Sequence, residues 1–337
     1  MSKFRAVVVD TDYIGGETFF TSEFNAVKKM GGEICFENYT TEDEIIEGCR
    51  NAEIIICCGN PPITDRVLSS VAAGLIIRNG IGVNSVDLDA AVKYRKIICN
   101  TPGYCTEELA MHASGLILAC LRNIGFYNNS VKAGGWPKGE GSSPRRLSNM
   151  TVGLLGFGAS ARALGKIFSQ GFGSRVISHD PYISAEAIEA GGAECVTFDQ
   201  LLAESDVLSV HVPLNDQTKH IINAEAFRKM KRDATLVNIA RGGIVCEKDL
   251  IAALQSGEIA RAGLDVLEKE PVESDNPLLT MSNVVLTPHS AFYGSEADEN
   301  SHVIVAELIN GYINKKLPAK NIANKAIISQ LRDFEIV

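Results

Sequence analysis

Apolar runs of strand length alternate with amphipathic stretches along most of the chain. The first set occupies residues 5–9, 33–36, 52–57, 75–78 and 96–99, with helix-length segments between them. Runs so continuous in Ile, Val and Leu suit strands covered on both faces, as in a parallel sheet wrapped by helices. A long amphipathic stretch over 106–122 follows, and then a Gly- and Pro-bearing segment over 133–144 that reads as an exposed loop or arm. A second alternating set begins at Thr151 and closes with a strand over 283–287, and a last helical stretch runs over 295–314. The second set therefore lies inside the first in chain order. The pattern predicts an α/β protein of two doubly wound parallel-sheet domains. One, over 102–292, is inserted into another built from 1–101 and 293–337, and the chain length of 337 residues suits two cores better than one.

The inserted set opens with a candidate dinucleotide site. The short apolar strand over 151–155 runs into Gly156-Phe157-Gly158-Ala159-Ser160-Ala161 and then a helix. Gly156 permits the tight turn, Gly158 lets backbone approach a pyrophosphate, and the small Ala161 lets helix and strand pack closely. The N–H groups at the start of that helix, at Ala159 and Ser160, and its positive dipole end face the phosphates. Asp180 closes the next strand, near the roughly 20-residue offset of a ribose-binding acid. A carboxylate there accepts a 2′-hydroxyl and repels a 2′-phosphate, and Pro181 rather than a phosphate-binding arginine follows. NAD is the expected cofactor in this Rossmann arrangement, although an Asp before Pro is equally an ordinary turn residue.

Three further polar residues stand just past apolar strands. Arg241 follows Thr235-Leu236-Val237-Asn238-Ile239-Ala240, Glu270 follows Gly263-Leu264-Asp265-Val266, and His289 follows Val284-Val285-Leu286-Thr287-Pro288. Open α/β sheets bind ligands at this edge. A cation, a carboxylate and an imidazole together can hold an anionic substrate and move a proton. Singly, each has an ordinary reading as a turn, loop or structural residue.

These motifs together resemble the D-2-hydroxyacid dehydrogenase family over nearly the whole chain. The resemblance also rests on His211-Val212-Pro213-Leu214, on Gly80-Ile81-Gly82-Val83 with Val86-Asp87, and on Thr287-Pro288-His289-Ser290-Ala291. Pro102-Gly103-Tyr104-Cys105-Thr106-Glu107-Glu108 and the Phe292-Tyr293 pair look most like the C-terminal-binding-protein-like subgroup, beside phosphoglycerate-dehydrogenase-like members. Phe292 stands where that subgroup carries tryptophan, Ala161 replaces a glycine, Met111 an acidic residue, and Asn84 an aspartate.

The resemblance implies a flavodoxin-like substrate domain around a Rossmann NAD domain, and reversible hydride transfer between NADH and a 2-oxo acid to give a D-2-hydroxy acid. Arg241, Glu270 and His289 would be catalytic: Arg241 on the substrate carboxylate and carbonyl, His289 as proton donor, Glu270 orienting the imidazole. Cofactor contacts would come from Gly156, Gly158, Ala159, Ser160, Asp180, His211, Val212, Pro213, Ile239, Ala240 and Asp265, the last on the nicotinamide side. Asn60, Ile81, Gly82, Arg241 and Phe292 would meet the substrate, with the N–H groups of Ile81 and Gly82 on its carboxylate. A homodimer is expected, with the Trp136 arm and the 106–122 helix at its interface.

Composition narrows the alternatives. A net charge of −9 argues against nucleic-acid binding. No apolar run approaches the roughly 20 residues of a membrane span, and the amino terminus lacks a signal-peptide pattern. The nine cysteines mostly fall in apolar runs, without a Cys-x-x-Cys pair or a Cys/His cluster at zinc spacing, so no metal is expected. They read as reduced core residues of a cytoplasmic protein. His112, His179, His220 and His302 read as structural or solvated. An NAD(H)-sensing corepressor-like module is one alternative, and phosphoglycerate dehydrogenase another. Against the latter, Cys58-Gly59-Asn60-Pro61-Pro62 offers no base for a phosphate and no regulatory domain is expected. Glu270, where formate dehydrogenase would place an amide, argues against that enzyme. The substrate side chain is expected to be uncharged or modestly apolar.

Overall fold

A computed structural model describes residues 4–14, 16–59, 61–140 and 144–337. The chain divides into two compact units, one made of 1–104 and 294–337, the other of 105–293.

In the first unit, β1 (Arg5–Val8), β2 (Glu33–Phe36), β3 (Ile54–Cys57), β4 (Leu75–Arg78) and β5 (Ile97–Asn100) form a parallel sheet in the order β2-β1-β3-β4-β5. Every residue of β3 and β4 is buried. Successive side chains serve opposite faces, as strand geometry demands. Ile54, Ile56, Leu75 and Ile77 pack with Val305, Leu308 and Ile309 of the helix Ser295–Ile313. Ile55, Ile76 and Ile98 pack on the other side with Ile45, Val67 and Leu68. Residues 321–324 cover the free edge of β5. Asn324 accepts from the Ile98 N–H at 3.0 Å and donates to the Lys96 carbonyl at 2.8 Å, Ala323 N donates to the Ile98 carbonyl at 2.7 Å, and Asn321 donates to the Asn100 carbonyl at 2.8 Å.

The second unit holds β6 (Thr151–Leu155), β7 (Arg175–His179), β8 (Glu194–Cys195), β9 (Val207–Val210), β10 (Thr235–Asn238), β11 (Arg261–Leu264) and β12 (Val284–Leu286). They form one parallel sheet in the order β12-β11-β10-β9-β6-β7-β8. The strand order reverses between β6 and β9, which is the place where doubly wound sheets open a ligand crevice. The helix Thr106–Leu121 buries Ala110, Ala113, Leu116 and Ile117. Gly263 permits its close approach to β11, because a Cβ there would lie 3.0 Å from Leu116 Cβ and 3.3 Å from Cys120 Sγ. Asn123, in the left-handed region at φ 52°, breaks the chain between this helix and the next, Ile124–Lys132. Where the expected arm is described it is exposed, with Trp136 at 80% exposure, and 141–143 lie outside the described residues. Among the described residues, no single helix is long and apolar enough to cross a membrane.

All nine cysteines are free. Six are buried, as core residues should be, but Cys195 is exposed on the edge strand β8, and Cys35 and Cys246 are partly exposed. The reading of the cysteines as core residues therefore fails at Cys195, which lies outside any apolar run, and at Cys246, while the half-buried Cys35 still packs against the core.

Asp206 clips together the amino-terminal ends of three central strands. Its carboxylate accepts from the Thr151 N–H at 2.7 Å, Arg145 Nη1 at 2.8 Å and Lys231 Nζ at 3.0 Å. Its backbone donates to the Thr151 carbonyl and accepts from Thr235 N–H, both at 2.9 Å. Burial opposes ionisation of this side chain, but these bonds prevail and hold it below the usual aspartate range. A carboxylate depressed on folding stabilises the fold above its unfolded pKa, and that contribution is lost as pH falls through the depressed value. Asp206→Asn should therefore lower unfolding free energy by about 2–3 kcal/mol at neutral pH, and the gap from the parent chain should close in acid. Urea unfolding at several pH values measures both.

Candidate active site

The carboxyl-terminal strand ends of the second unit carry the candidate chemistry. Gly156, after β6, has φ 91°, and a Cβ there would lie 2.9 Å from Val212 Cγ1 and 3.2 Å from the His211 carbonyl carbon. Glycine is thus required for both backbone shape and space. Gly158 precedes the helix Ala159–Lys166, and a Cβ there would find nothing within 4 Å. This open face at a helix amino terminus fits a pyrophosphate. Ala161 is fully buried beneath it. Asp180 accepts from Phe157 N–H and Tyr182 N–H, both at 2.9 Å, so it ties the glycine loop to the end of β7. The turn role does not exhaust this side chain, since each carboxylate oxygen keeps a second lone pair able to accept from a hydroxyl.

His211, across the sheet reversal at the end of β9, sits between two hydroxyls. Ser160 Oγ is 3.2 Å from its Nδ1 and Ser209 Oγ 2.9 Å from its Nε2. Desolvation pushes its pKa down to about 4, so the imidazole is neutral at physiological pH.

Asn238 shapes the chain between β10 and Arg241. Its side chain accepts from Ala240 N–H at 3.0 Å and donates to the Arg241 carbonyl at 2.9 Å. Arg241 Nη1 donates to the Ala240 carbonyl at 2.6 Å. Gly242 follows because nothing larger fits: a Cβ would lie 1.9 Å from the Leu267 carbonyl oxygen. The same Leu267 donates its N–H to Glu270 Oε1 at 3.1 Å. Glu270 Oε2 then meets His289 Nδ1 at 2.6 Å. Burial disfavours the Glu270 charge, but the His289 contact, the Leu267 N–H and the charge of Arg241 outweigh it and hold Glu270 below the ordinary carboxylate range. The three strand-end residues thus share one electrostatic neighbourhood.

His289 lies in the left-handed region at φ 53°. That backbone is uncommon for a residue with a Cβ, and Asp265 holds it. The Asp265 carbonyl accepts the His289 N–H at 2.7 Å. The Asp265 carboxylate accepts from Thr287 Oγ1 at 2.6 Å and from the N–H groups of Ser290 and Ala291 at 2.9 Å each. His112 Nε2 stands 2.9 Å from Thr287 Oγ1 and 3.4 Å from Asp265 Oδ1. Burial opposes this charge too, yet the surrounding donors hold it far below the usual range. Phe292 lies edge-on to His289, ring centroids 6.3 Å apart.

Residues 114–291 match the family described as "D-isomer specific 2-hydroxyacid dehydrogenase, NAD binding domain". The chain belongs to this family. The chain is 36% identical to D-3-phosphoglycerate dehydrogenase of Methanocaldococcus jannaschii over 301 residues, 89% of this chain and 57% of that protein. It is 34% identical to glyoxylate reductase of Korarchaeum cryptofilum over 290 residues, 84% of this chain and 86% of that protein. The crystal structure of a glyoxylate reductase from Paecilomyes thermophila superposes with a TM-score of 0.82 at 26% identity, covering 95% of this chain and 97% of that one. The chain spans little more than half the length of the first phosphoglycerate dehydrogenases it matches.

The structure brings Arg241, Glu270 and His289 to neighbouring strand ends, and places Gly156, Gly158, Ser160, Asp180 and His211 around the sheet reversal. Val212 packs on Gly156, and Pro213 follows on the same exposed turn. Ile239 is buried and Ala240 half-buried beside Arg241. Asn60 lies outside the described residues. In the first unit, Gly80 has φ 149°, Ile81 is 43% exposed, and the Ile81 carbonyl accepts from Asn100 Nδ2 at 2.8 Å, leaving Gly82 in an open loop.

His112, read as structural or solvated, braces Thr287, a partner 175 positions away that no local pattern signals. Sequence reasoning missed two polar residues. Asp10, at the sheet reversal of the first unit, accepts from Cys58 N–H at 2.9 Å and Gly59 N–H at 2.6 Å, while burial raises its pKa. Arg78 is a buried guanidinium at the end of β4, and a Cβ on Gly80 would lie 2.5 Å from its Nη1. An arginine ending an Ile-rich strand was the available signal.

The two glycines separate cofactor space from packing. Gly158→Val should weaken NADH binding about tenfold or more, a loss of about 1.4 kcal/mol or greater, with the melting temperature unchanged. Gly242→Ala should instead lower the melting temperature by several degrees. NADH fluorescence titration and thermal unfolding of both variants distinguish the effects.

Proposed function

We propose that the protein is an NAD-dependent oxidoreductase that interconverts 2-oxo acids and D-2-hydroxy acids. The observation that carries this reading is the 2.6 Å contact between Glu270 and His289, set beside the charge of Arg241. When bound, the reduced nicotinamide supplies a hydride for the substrate C2, leaving NAD⁺. Arg241 binds the substrate carboxylate and polarises the adjacent carbonyl, since a guanidinium presents paired donors to such an anion. His289, with Nδ1 committed to Glu270, offers Nε2 to the carbonyl oxygen and donates the proton that completes the alcohol. Glu270, bonded to Nδ1, keeps the ring aimed. Neutral His211 is left to pack along the cofactor. Asn60, Ile81, Gly82 and Phe292 are the proposed further substrate contacts.

Asp180 supports NAD over NADP, because its carboxylate would repel a 2′-phosphate. The net charge of −9 supports a small-molecule substrate rather than nucleic acid. Free cysteines suit a cytoplasmic location. Exposed Met111, Ile124, Val131 and Trp136 support a homodimer formed through this surface.

Similarity to phosphoglycerate dehydrogenases favours a second reading, in which the substrate carries a phosphate. Against it, the segment 57–62 contains no basic residue.

NADH oxidation is the direct test, with a series running from glyoxylate to longer and phosphorylated 2-oxo acids. Turnover of an unphosphorylated member is expected, with NADPH at least about tenfold poorer. Tight NADH binding without any turnover would replace the enzyme reading with that of a dinucleotide sensor. His289→Ala should lower kcat by about 10²–10⁴ and retain NADH affinity; unchanged kcat would remove His289 as the proton donor.

A further inference from the structure

Three segments of the second unit meet outside the residues assigned to hydride transfer. They are the turn bearing His220, the segment 242–246 ending at Cys246, and the loop containing Glu268. His220 Nε2 lies 3.0 Å from Glu268 Oε1, and donor atoms of His220, Cys246 and Glu268 all fall within 4.8 Å of one another. Bonds of about 2.0–2.3 Å to nitrogen, oxygen and sulfur around a tetrahedral ion imply ligand separations of about 3.3–3.8 Å. The 3.0 Å contact lies just under that range and the 4.8 Å limit on the group lies above it. Among the described residues, this is the group of three His, Cys, Asp or Glu side chains with metal-binding proximity.

The supporting backbone is tied together. His220 N donates to the Gly243 carbonyl at 2.9 Å, and Cys246 N to the Ile222 carbonyl at 2.8 Å. Glu247 N–H meets Glu268 Oε1 at 2.8 Å, and Glu268 N–H returns to Glu247 Oε2 at 3.0 Å. Behind the thiol, Asp249 hydrogen-bonds Cys246 and is anchored by Ala224 N–H at 2.9 Å. This bond holds the proton on the Cys246 thiol and is given up when the thiolate binds an ion. All three candidate ligands retain solvent access.

We propose that His220, Cys246 and Glu268 form a binding site for a thiophilic divalent cation of the zinc class, with water in the fourth position. One nitrogen, one sulfur and one oxygen suit zinc, whereas magnesium and calcium take oxygen ligands. The ion joins the segment that follows Arg241 to the loop that leads into Glu270. Its binding therefore stabilises the folded chain by mass action, and it takes no part in proton or hydride transfer.

The full chain, stripped of metal, is titrated with Zn²⁺ and separately with Co²⁺. One equivalent of Zn²⁺ per chain, a raised melting temperature and a near-ultraviolet thiolate-to-cobalt band are expected. Cys246→Ser should abolish the band, and Cys195→Ser, at the exposed cysteine, should preserve it. Glu268→Gln provides an independent variant if Cys246→Ser does not fold, and should weaken Zn²⁺ at least about tenfold. Absence of the cobalt band in the parent chain, its survival in Cys246→Ser, or its loss in Cys195→Ser would each overturn the site. So would undiminished Zn²⁺ affinity in Glu268→Gln.

Discussion

A buried carboxylate governs the carboxyl-terminal sheet edge of the second unit. Asp265 is 2% exposed, and an unpaired charge so placed would be strongly unfavourable. It is satisfied only while the chain from Thr287 to Ala291 folds around it, delivering one hydroxyl and two N–H groups. That wrapping places His289 in a left-handed conformation costing on the order of 1–3 kcal/mol, which three charge-assisted hydrogen bonds offset. The aim of the imidazole at Glu270 is therefore a property of the aspartate beneath it as much as of the histidine.

Two imidazoles on this edge have opposite electrostatic settings. His211 has hydroxyl partners on both nitrogens and a pKa near 4, so it contributes shape and hydrogen bonding without charge. His289 has an ionised carboxylate at one nitrogen and a neighbouring arginine within electrostatic reach of that carboxylate. The same side chain thus stands in two opposite electrostatic settings on one sheet edge.

Much of this was legible in the sequence where a residue's role depends on near neighbours. The runs that became β3 and β4 are apolar because both faces are covered. The Gly156 loop and Asp180 are recognisable because the turn, helix start and next strand lie within one βαβ unit. The edge strand β8 escaped notice: its two residues are exposed, so burial imposed no pattern. The helix Ile124–Lys132 was hidden by its lack of any buried residue. His112, Asp10 and the meeting of His220 with Cys246 and Glu268 depend on chain crossings that no local spacing encodes. Asp265 was read as a nicotinamide-side contact, whereas its grip on the His289 turn needed the third dimension to be seen.

The covering of β5 by residues 321–324 bears on the order in which the molecule can be made. The second unit is continuous in sequence, so all its strands are available once residue 293 has emerged from the ribosome. The first unit is different, because its β5 edge and one helical face are completed by residues synthesised after the entire second unit. Domains form as units during synthesis. The inserted unit can therefore reach its native state while the first five strands still wait, with an exposed β5 edge, for the helix Ser295–Ile313 and the segment behind it. Assembly runs from the middle of the chain outward, and the vulnerable interval for mispairing belongs to the unit whose strands were made first.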